Sequence, residues 1–231
     1  MTARETEETL IPDWAAPVYL VVSAACAFAF LALDLTTTSM PGMAALKAVG
    51  IVMLAAYAGF SRAPLLALAL VLSACGDYAL EMQPARLAAG IGFFGAAHLA
   101  YIAIFAGLIL GRGWRRDGLV LAGALVVYGA AMIWWLRPYM GGLAGPAIAY
   151  NVIILAMAIC AALVRGPRLI LLGALLFVIS DSILGASWFR ELNVAWGRFD
   201  LDGAAVWTTY YLAQAALAVG IVRAKADDEA D

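Results

Sequence analysis

Stretches of about 20 apolar residues recur along the whole chain, each bounded by Pro, Gly, Arg or Asp, and this is the length a helix needs to cross about 30 Å of hydrocarbon. Eight are read, over residues 17–35, 44–60, 64–80, 86–110, 119–136, 143–164, 168–189 and 204–222. The connections are short, the longest running over 190–203. The pattern predicts an all-α fold: a polytopic membrane bundle of eight transmembrane helices, forming a single transmembrane domain over 1–231 with an acidic segment at 1–16 and an acidic tail at 223–231. No extramembrane domain fits between the spans, so function belongs within the bundle or at its two faces.

A short internal repeat divides this pattern. Segment 72–80, with Gly76, Asp77 and Leu80, aligns with 176–184, with Ser180, Asp181 and Leu184; in each a small residue precedes an Asp, and a Leu follows three later. Four spans separate the two, and an even number of spans per half makes the four-helix halves parallel, related by an axis along the membrane normal. Convergence of two apolar helices that each carry one Asp is the competing explanation.

Composition sharpens the assignment. The chain is 65% hydrophobic and 13% charged, with a mean hydropathy of +0.94, against about 45–50% and about 25% for soluble domains. A nucleic-acid binder, a disulfide scaffold and a disordered protein are excluded. Of the 16 carboxylates, Glu5, Glu7, Glu8 and Asp13 lie in the first segment and Asp227, Asp228, Glu229 and Asp231 in the last. The net charge of -2 therefore says nothing about partners. An acidic N-terminus argues against a cleaved signal peptide. Cys26, Cys75 and Cys160 fall inside apolar runs and read as small buried hydrophobes.

Basic residues orient the bundle, because cytoplasmic loops are enriched in Lys and Arg. Arg4, Arg62, Arg112, Arg115, Arg116, Arg165, Arg168, Arg223 and Lys225 fall on the side of the N-terminus; Lys47, Arg86, Arg137, Arg190 and Arg198 fall on the other. The expectation is a multi-pass protein of the cell (inner) membrane with both termini cytoplasmic. The seven tryptophans sit near span ends and read as interfacial belt residues, with Trp207 set apart. Small residues four apart, Ala55 and Gly59 or Gly107 and Gly111, permit close helix contact and leave a homo-oligomer open without predicting one.

Ionisable side chains inside spans are costly and mark a functional interior. Asp34, Lys47, Asp77, Glu81, His98 and Asp181 qualify, although Asp34 and Glu81 lie where headgroup water reaches. Asp77 and Asp181 each lie thirteen residues past the start of their spans, which places both about 20 Å into the bilayer at 1.5 Å per residue. The same counting brings Lys47, Tyr150, Asn151, Tyr210, Tyr211 and Gln214 to a similar depth, with His98 deeper. On their helices Phe94, His98 and Tyr101 share one face, as do Trp207, Tyr211 and Gln214. Together they suggest an enclosed polar pocket open to the outer leaflet. Structural readings stand beside this one: hydrogen bonds of Asp77 and Asp181 to nearby Ser73, Ser180 and Ser182, a snorkelling Lys47, and a satisfied core His98.

His98 is the only histidine, so a multi-histidine metal site is not available and no cofactor is implied. No GxSxG elbow or phosphate-cradling glycine loop is present; Gly111-Arg112-Gly113 and Gly141-Gly142 are turns. Two carboxylates in an apolar setting, one protonated and one ionised, suit acid-catalysed cleavage of an acetal-like bond.

The combination Lys47, Cys75-Gly76-Asp77, Ala97-His98-Leu99-Ala100-Tyr101, Tyr150, Ser180-Asp181-Ser182 and Tyr210-Tyr211-x-x-Gln214 resembles the YhhN-like lysoplasmalogenase family of integral membrane hydrolases. Ala48 stands where that family has a proline after the lysine. The resemblance implies hydrolysis of the vinyl-ether bond of a lysoplasmalogen to a fatty aldehyde and glycerophosphoethanolamine or glycerophosphocholine. It implies Asp77, Asp181 and His98 as catalytic residues and Lys47, Tyr150, Tyr210, Tyr211 and Gln214 as substrate-binding ones. The partners expected are a lysophospholipid substrate and membrane lipids, with no nucleic acid. Two other readings remain: a proton-coupled small-molecule transporter, and a hydrolase of another lysolipid or ether lipid.

Overall fold

The helices of the computed structural model follow the apolar pattern. It describes residues 15–36, 42–196 and 199–230; most of the acidic first segment, with Trp14, and Arg198 lie outside them. The helices are α1 (Ala15–Thr36), α2 (Met43–Phe60), α3 (Pro64–Glu81), α4 (Leu87–Arg112), α5 (Gly118–Leu136), α6 (Ala144–Leu163), α7 (Arg168–Arg190) and α8 (Leu201–Ala230). All eight are long and apolar enough to cross a membrane, and the chain is a multi-pass membrane protein. Large apolar side chains such as Val21, Phe28, Leu110 and Val120 face outward, as a surface solvated by lipid requires.

Local chemistry sets the helix ends. Pro64 opens α3, where its missing N–H is one that the first turn leaves unbonded anyway. Gly42 leads into α2 with φ of 94°, a left-handed conformation that glycine adopts without strain. Pro138 and Gly141-Gly142 resolve the link between α5 and α6 into two 3₁₀ turns, Arg137–Tyr139 and Gly141–Leu143.

Three expectations are corrected. Residues 223–230, read as an acidic tail, continue α8. The reason lies on α4: the Arg112 guanidinium donates to Asp228 Oδ1 at 2.7 Å and to the carbonyl of Ala224, holding the helix end down. The 190–203 connection is not merely a loop. It contains a two-residue antiparallel ladder, Ala195–Trp196 with Phe199–Asp200, and Asp200 Oδ1 accepts the backbone N–H groups of Asp202 and Gly203, both at 3.0 Å, where α8 begins. Finally, Cys75 is exposed on the outside of the bundle rather than buried, and Cys26 and Cys160 are half-buried.

Six helices close a ring in the order α2, α3, α4, α6, α7, α8, with α8 returning to α2. Helix α1 lies outside it on α2 and α8, and α5 lies outside it on α6 and α7. In each group of four, therefore, the first helix is peripheral and the other three build the ring, the neighbour order that two parallel halves produce. The closest pairing, α7 with α8, depends on glycine. A Cβ on Gly173 would lie 2.8 Å from the Ala213 carbonyl oxygen, and one on Gly220 3.0 Å from the Ile170 nitrogen.

The two faces of the bundle differ. Arg62, Arg112, Arg115 and Lys225 gather at one, where Arg115 donates to the Val164 carbonyl at 3.2 Å and Lys225 to that of Arg62. At the other, the ends of α1, α3 and α7 meet the starts of α2, α6 and α8 around the mouth of a cavity.

Candidate active site

The cavity has a volume of about 360 Å³, and every helix contributes to its lining. Its polar floor consists of two carboxylates, each held in the same way.

Asp77, on α3, is 3% exposed. The Tyr210 hydroxyl of α8 donates to its Oδ2 at 2.5 Å. One turn further, Gln214 donates its amide N–H to the Tyr210 oxygen at 3.2 Å, and the Gln214 carbonyl oxygen accepts the hydroxyl of Tyr101 at 2.7 Å. Because Tyr101 occupies the amide oxygen, the amide nitrogen must face Tyr210, and the Tyr210 proton is directed at Asp77. Gly76 makes room for this arrangement: a Cβ there would lie 2.7 Å from the Phe94 ring. Phe94 thus lies against α3 and meets Tyr210 edge-on, with ring centroids 5.7 Å apart.

Asp181, on α7, accepts the hydroxyl of Tyr150 from α6. Tyr150 is also bonded to His98 Nε2 at 3.0 Å. With the phenol donating to the carboxylate, the imidazole donates from Nε2, so each Asp receives a tyrosine hydroxyl whose oxygen is itself fed by an N–H. His98 is fully buried, packs edge-on against Phe177 at 4.8 Å, and has no hydrogen-bond partner at Nδ1. It stands behind Tyr150, outside the cavity lining, and reaches Asp181 through that phenol.

Towards the mouth, Lys47 of α2 forms an ion pair with Glu81 Oε2 at 3.1 Å. Its ammonium lies 5.2 Å from the Phe30 ring centroid and 5.6 Å from that of Trp207. Trp207 is 3% exposed and donates to the Ala27 carbonyl at 3.0 Å, so it is a cavity wall and not a belt residue. Lys47 does not snorkel away: Glu81, one turn past Asp77 on the same face of α3, draws it into the wall. Asp34 and Glu81, expected in headgroup water, both line the cavity. The serines near the two acids bond elsewhere. Ser73 donates to the Ala69 carbonyl at 3.0 Å, Ser180 to that of Val206 at 3.1 Å and Ser182 to that of Val178 at 2.5 Å.

Of the residues singled out in the sequence, Asp77, Asp181, Lys47, Tyr150 and Tyr210 line one cavity, while His98 and Gln214 stand directly behind the two tyrosines. Tyr211 is apart from them. It is bonded at 3.0 Å to Ser23, which donates to the Gly50 carbonyl at 2.6 Å, and so ties α8 to α1 and α2. Sequence reasoning passed over the pairing of Glu81 and gave Asn151 no role, although its side-chain oxygen lacks a partner and it lines the cavity. A signal was present: Asn151 lies as far beyond Lys47 as Asp181 lies beyond Asp77. Among the described residues, no three His, Cys, Asp or Glu side chains come together to hold a metal ion.

The sequence matches the YhhN family over residues 42–221. Two relatives named lysoplasmalogenase, from Mycobacterium bovis and Mycobacterium tuberculosis, are each 30% identical to it over 161 residues. The aligned stretch covers 66% of this chain and 58% of each relative. No solved structure matches the chain.

Proposed function

This chain belongs to the YhhN family, and from that premise we propose that it is a membrane-embedded hydrolase of lysoplasmalogens, cleaving the vinyl-ether bond by acid and base catalysis from Asp77 and Asp181. The observation that carries this reading is the pair of carboxylates on one cavity, each oriented by its own tyrosine hydroxyl. The relatives' name, lysoplasmalogenase, supports the choice of substrate.

One protonated carboxyl group gives its proton to the vinyl carbon distant from oxygen, whose π electrons form the new C–H bond. The resulting cation, shared between the other vinyl carbon and the ether oxygen, lies beside the second, ionised Asp. Water adds to that carbon and returns a proton to the carboxylate that acted as acid. The hemiacetal then transfers its hydroxyl proton to the glycerol oxygen as the C–O bond breaks, releasing aldehyde and alcohol. His98, behind Tyr150, keeps that phenol aimed at Asp181. Lys47 binds the phosphate and Glu81 and Asp34 face the headgroup cation, with Tyr150 and Tyr210 bordering the reacting atoms. The basic face is cytoplasmic, by the enrichment of Lys and Arg there, and the cavity opens on the opposite side of the cell membrane.

The test is aldehyde release from a lysoplasmenyl lipid by the purified protein, with Asp77→Asn and Asp181→Asn each lowering turnover about 10²–10⁴-fold. Full turnover in both variants would sink the mechanism. Uptake driven by a pH gradient in liposomes, with no aldehyde formed, would establish transport instead. Reporter fusions at each end check the orientation.

A further inference from the structure

The cavity is larger in one direction than the chemistry of the two acids requires. Beyond Asp181 it continues between α5, α6 and α7 as an apolar arm walled by Met132, Leu136, Met140, Ala147, Leu155 and Val178. Leu136, Met140 and Ala147, with Met132 and Phe189 packed on them, form a hydrophobic cluster separate from the main core of the ring. This arm exists because α5 lies outside the ring, seated mainly on α6 and touching α7 lightly.

The arm ends at the seam between α5 and α7. Tyr128 and Ser182 both line the cavity there, and Tyr128 is 40% exposed on a helix that lies at the periphery of the bundle. A residue that meets the cavity on one side and the surroundings on the other marks a wall one side chain thick. Both residues stand eight positions from the mouth-side ends of their helices, about 12 Å into the bilayer, so the outside they face is hydrocarbon. The Tyr128 hydroxyl donates to Ser182 Oγ at 2.6 Å. That bond satisfies two polar groups that lipid cannot and fastens the seam.

We propose that this arm is the binding site for the hydrocarbon chain of the substrate, and that the chain passes to the lipid through the α5/α7 seam at Tyr128 and Ser182. The inference rests on the lysolipid substrate proposed above and adds the path of its tail. At about 360 Å³ the cavity lies at the small end of the range for ligand pockets. It has room for a headgroup at Lys47 and a vinyl ether at the two acids, while a long alkenyl chain must extend beyond it. Charged Asp34, Lys47 and Glu81 line the cavity from α1, α2 and α3, and the apolar walls and the seam line it from α5, α6 and α7, so a lipid laid across the two acids has its headgroup and its tail on opposite sides.

Two measurements test this. A lysolipid carrying a diazirine at the end of its chain, photolysed with the wild-type protein in vesicles, is expected to label peptides of α5 and α7 at the seam, and excess unlabelled lysolipid is expected to remove that labelling. Competable labelling confined to α1, α2 or α8 overturns the proposal, whether or not the protein releases aldehyde. Met132→Trp, which fills the arm, is expected to lower kcat/KM about tenfold or more for a long-chain substrate, the loss expected when two or more methylenes are excluded. A four-carbon alkenyl analogue is expected to be turned over as by wild type, which also reports that the variant is folded. Equal loss on both substrates, or no loss on either, overturns the assignment. Tyr128→Phe keeps the ring and removes the bond; it is expected to leave the short analogue unaffected and to change only the long-chain rate.

Discussion

The hydroxyl of Tyr210 donates to Asp77 Oδ2 over 2.5 Å, joining α8 to α3 across 133 residues of sequence. Tyr210 cannot turn away from this bond, because Gln214 supplies an N–H to its oxygen and Tyr101 fixes the Gln214 amide. Tyr210→Phe is expected to leave Asp77 without its donor in a buried setting, costing about 1–3 kcal/mol of stability. Turnover is expected to fall alongside, about tenfold or more. Thermal unfolding in detergent and aldehyde release measure the two effects separately.

Tyr150→Phe provides the complementary test on Asp181. It removes the hydroxyl that links His98 to that acid. If His98 acts through Tyr150, His98→Ala lowers kcat in the wild-type background and has no further effect in the Tyr150→Phe background. The double-mutant cycle in kcat is the measurement; additive losses would show that His98 acts by another route.

Lys47 and Glu81 retain 19% and 26% of their side-chain exposure, which puts their pair between the exposed and the fully buried cases. Lys47→Met is expected to destabilise the protein by about 1–2 kcal/mol and to raise KM for a phosphate-bearing substrate more than it lowers kcat. Lys47→Met combined with Glu81→Gln is expected to regain most of the stability and none of the affinity. Unfolding curves beside steady-state kinetics check both statements.

Gly173→Ala forces a methyl group to within 2.8 Å of the Ala213 carbonyl oxygen and 3.0 Å of the Leu217 nitrogen. Backbone cannot yield as a side chain can, so α7 and α8 must separate, at a cost of about 1–3 kcal/mol. Since α7 carries Asp181 and α8 carries Tyr210, activity is expected to drop with stability. A drop in melting temperature with unchanged turnover would show that the site tolerates the shift.

Arg112→Ala, at the basic face, removes the contacts to Asp228 and to the Ala224 and Arg165 carbonyls. Hydrogen exchange is expected to rise over residues 223–230, with aldehyde release as in wild type. The ion pair itself is half in solvent, and its loss is expected to cost about 1 kcal/mol or less.

The spans were legible because crossing hydrocarbon imposes a length and a composition that almost nothing else imposes, and the eight stretches in the sequence match the eight helices to within a few residues at most ends. Asp77 and Asp181 were legible for the same reason, an acid in such a stretch being costly enough to stand out. The sequence was less informative wherever polarity occurs near an end. Asp34, Glu81 and Asp200 sit where headgroup water is the ordinary explanation for a charge, and nothing local separates a solvated carboxylate from one that lines a cavity. Tyr211 misled in the opposite direction: it is adjacent to Tyr210, but one step along a helix turns a side chain by about 100°, enough to direct it to Ser23 rather than to the cavity.

By itself, then, the sequence determined the number of passes and the scarcity of charge that singles out Asp77 and Asp181, because both follow from the cost of polar groups in lipid. Tertiary structure decided the partners. Which tyrosine meets which Asp depends on α8 closing the ring back to α2 and on α6, not α5, lying beside α4. The Lys47 to Glu81 pair and the apolar arm toward Tyr128 arise from the same packing. Helix order is a matter of how side chains interlock across the bundle, and apolar stretches that are nearly alike in hydropathy carry no mark of which neighbour each will choose.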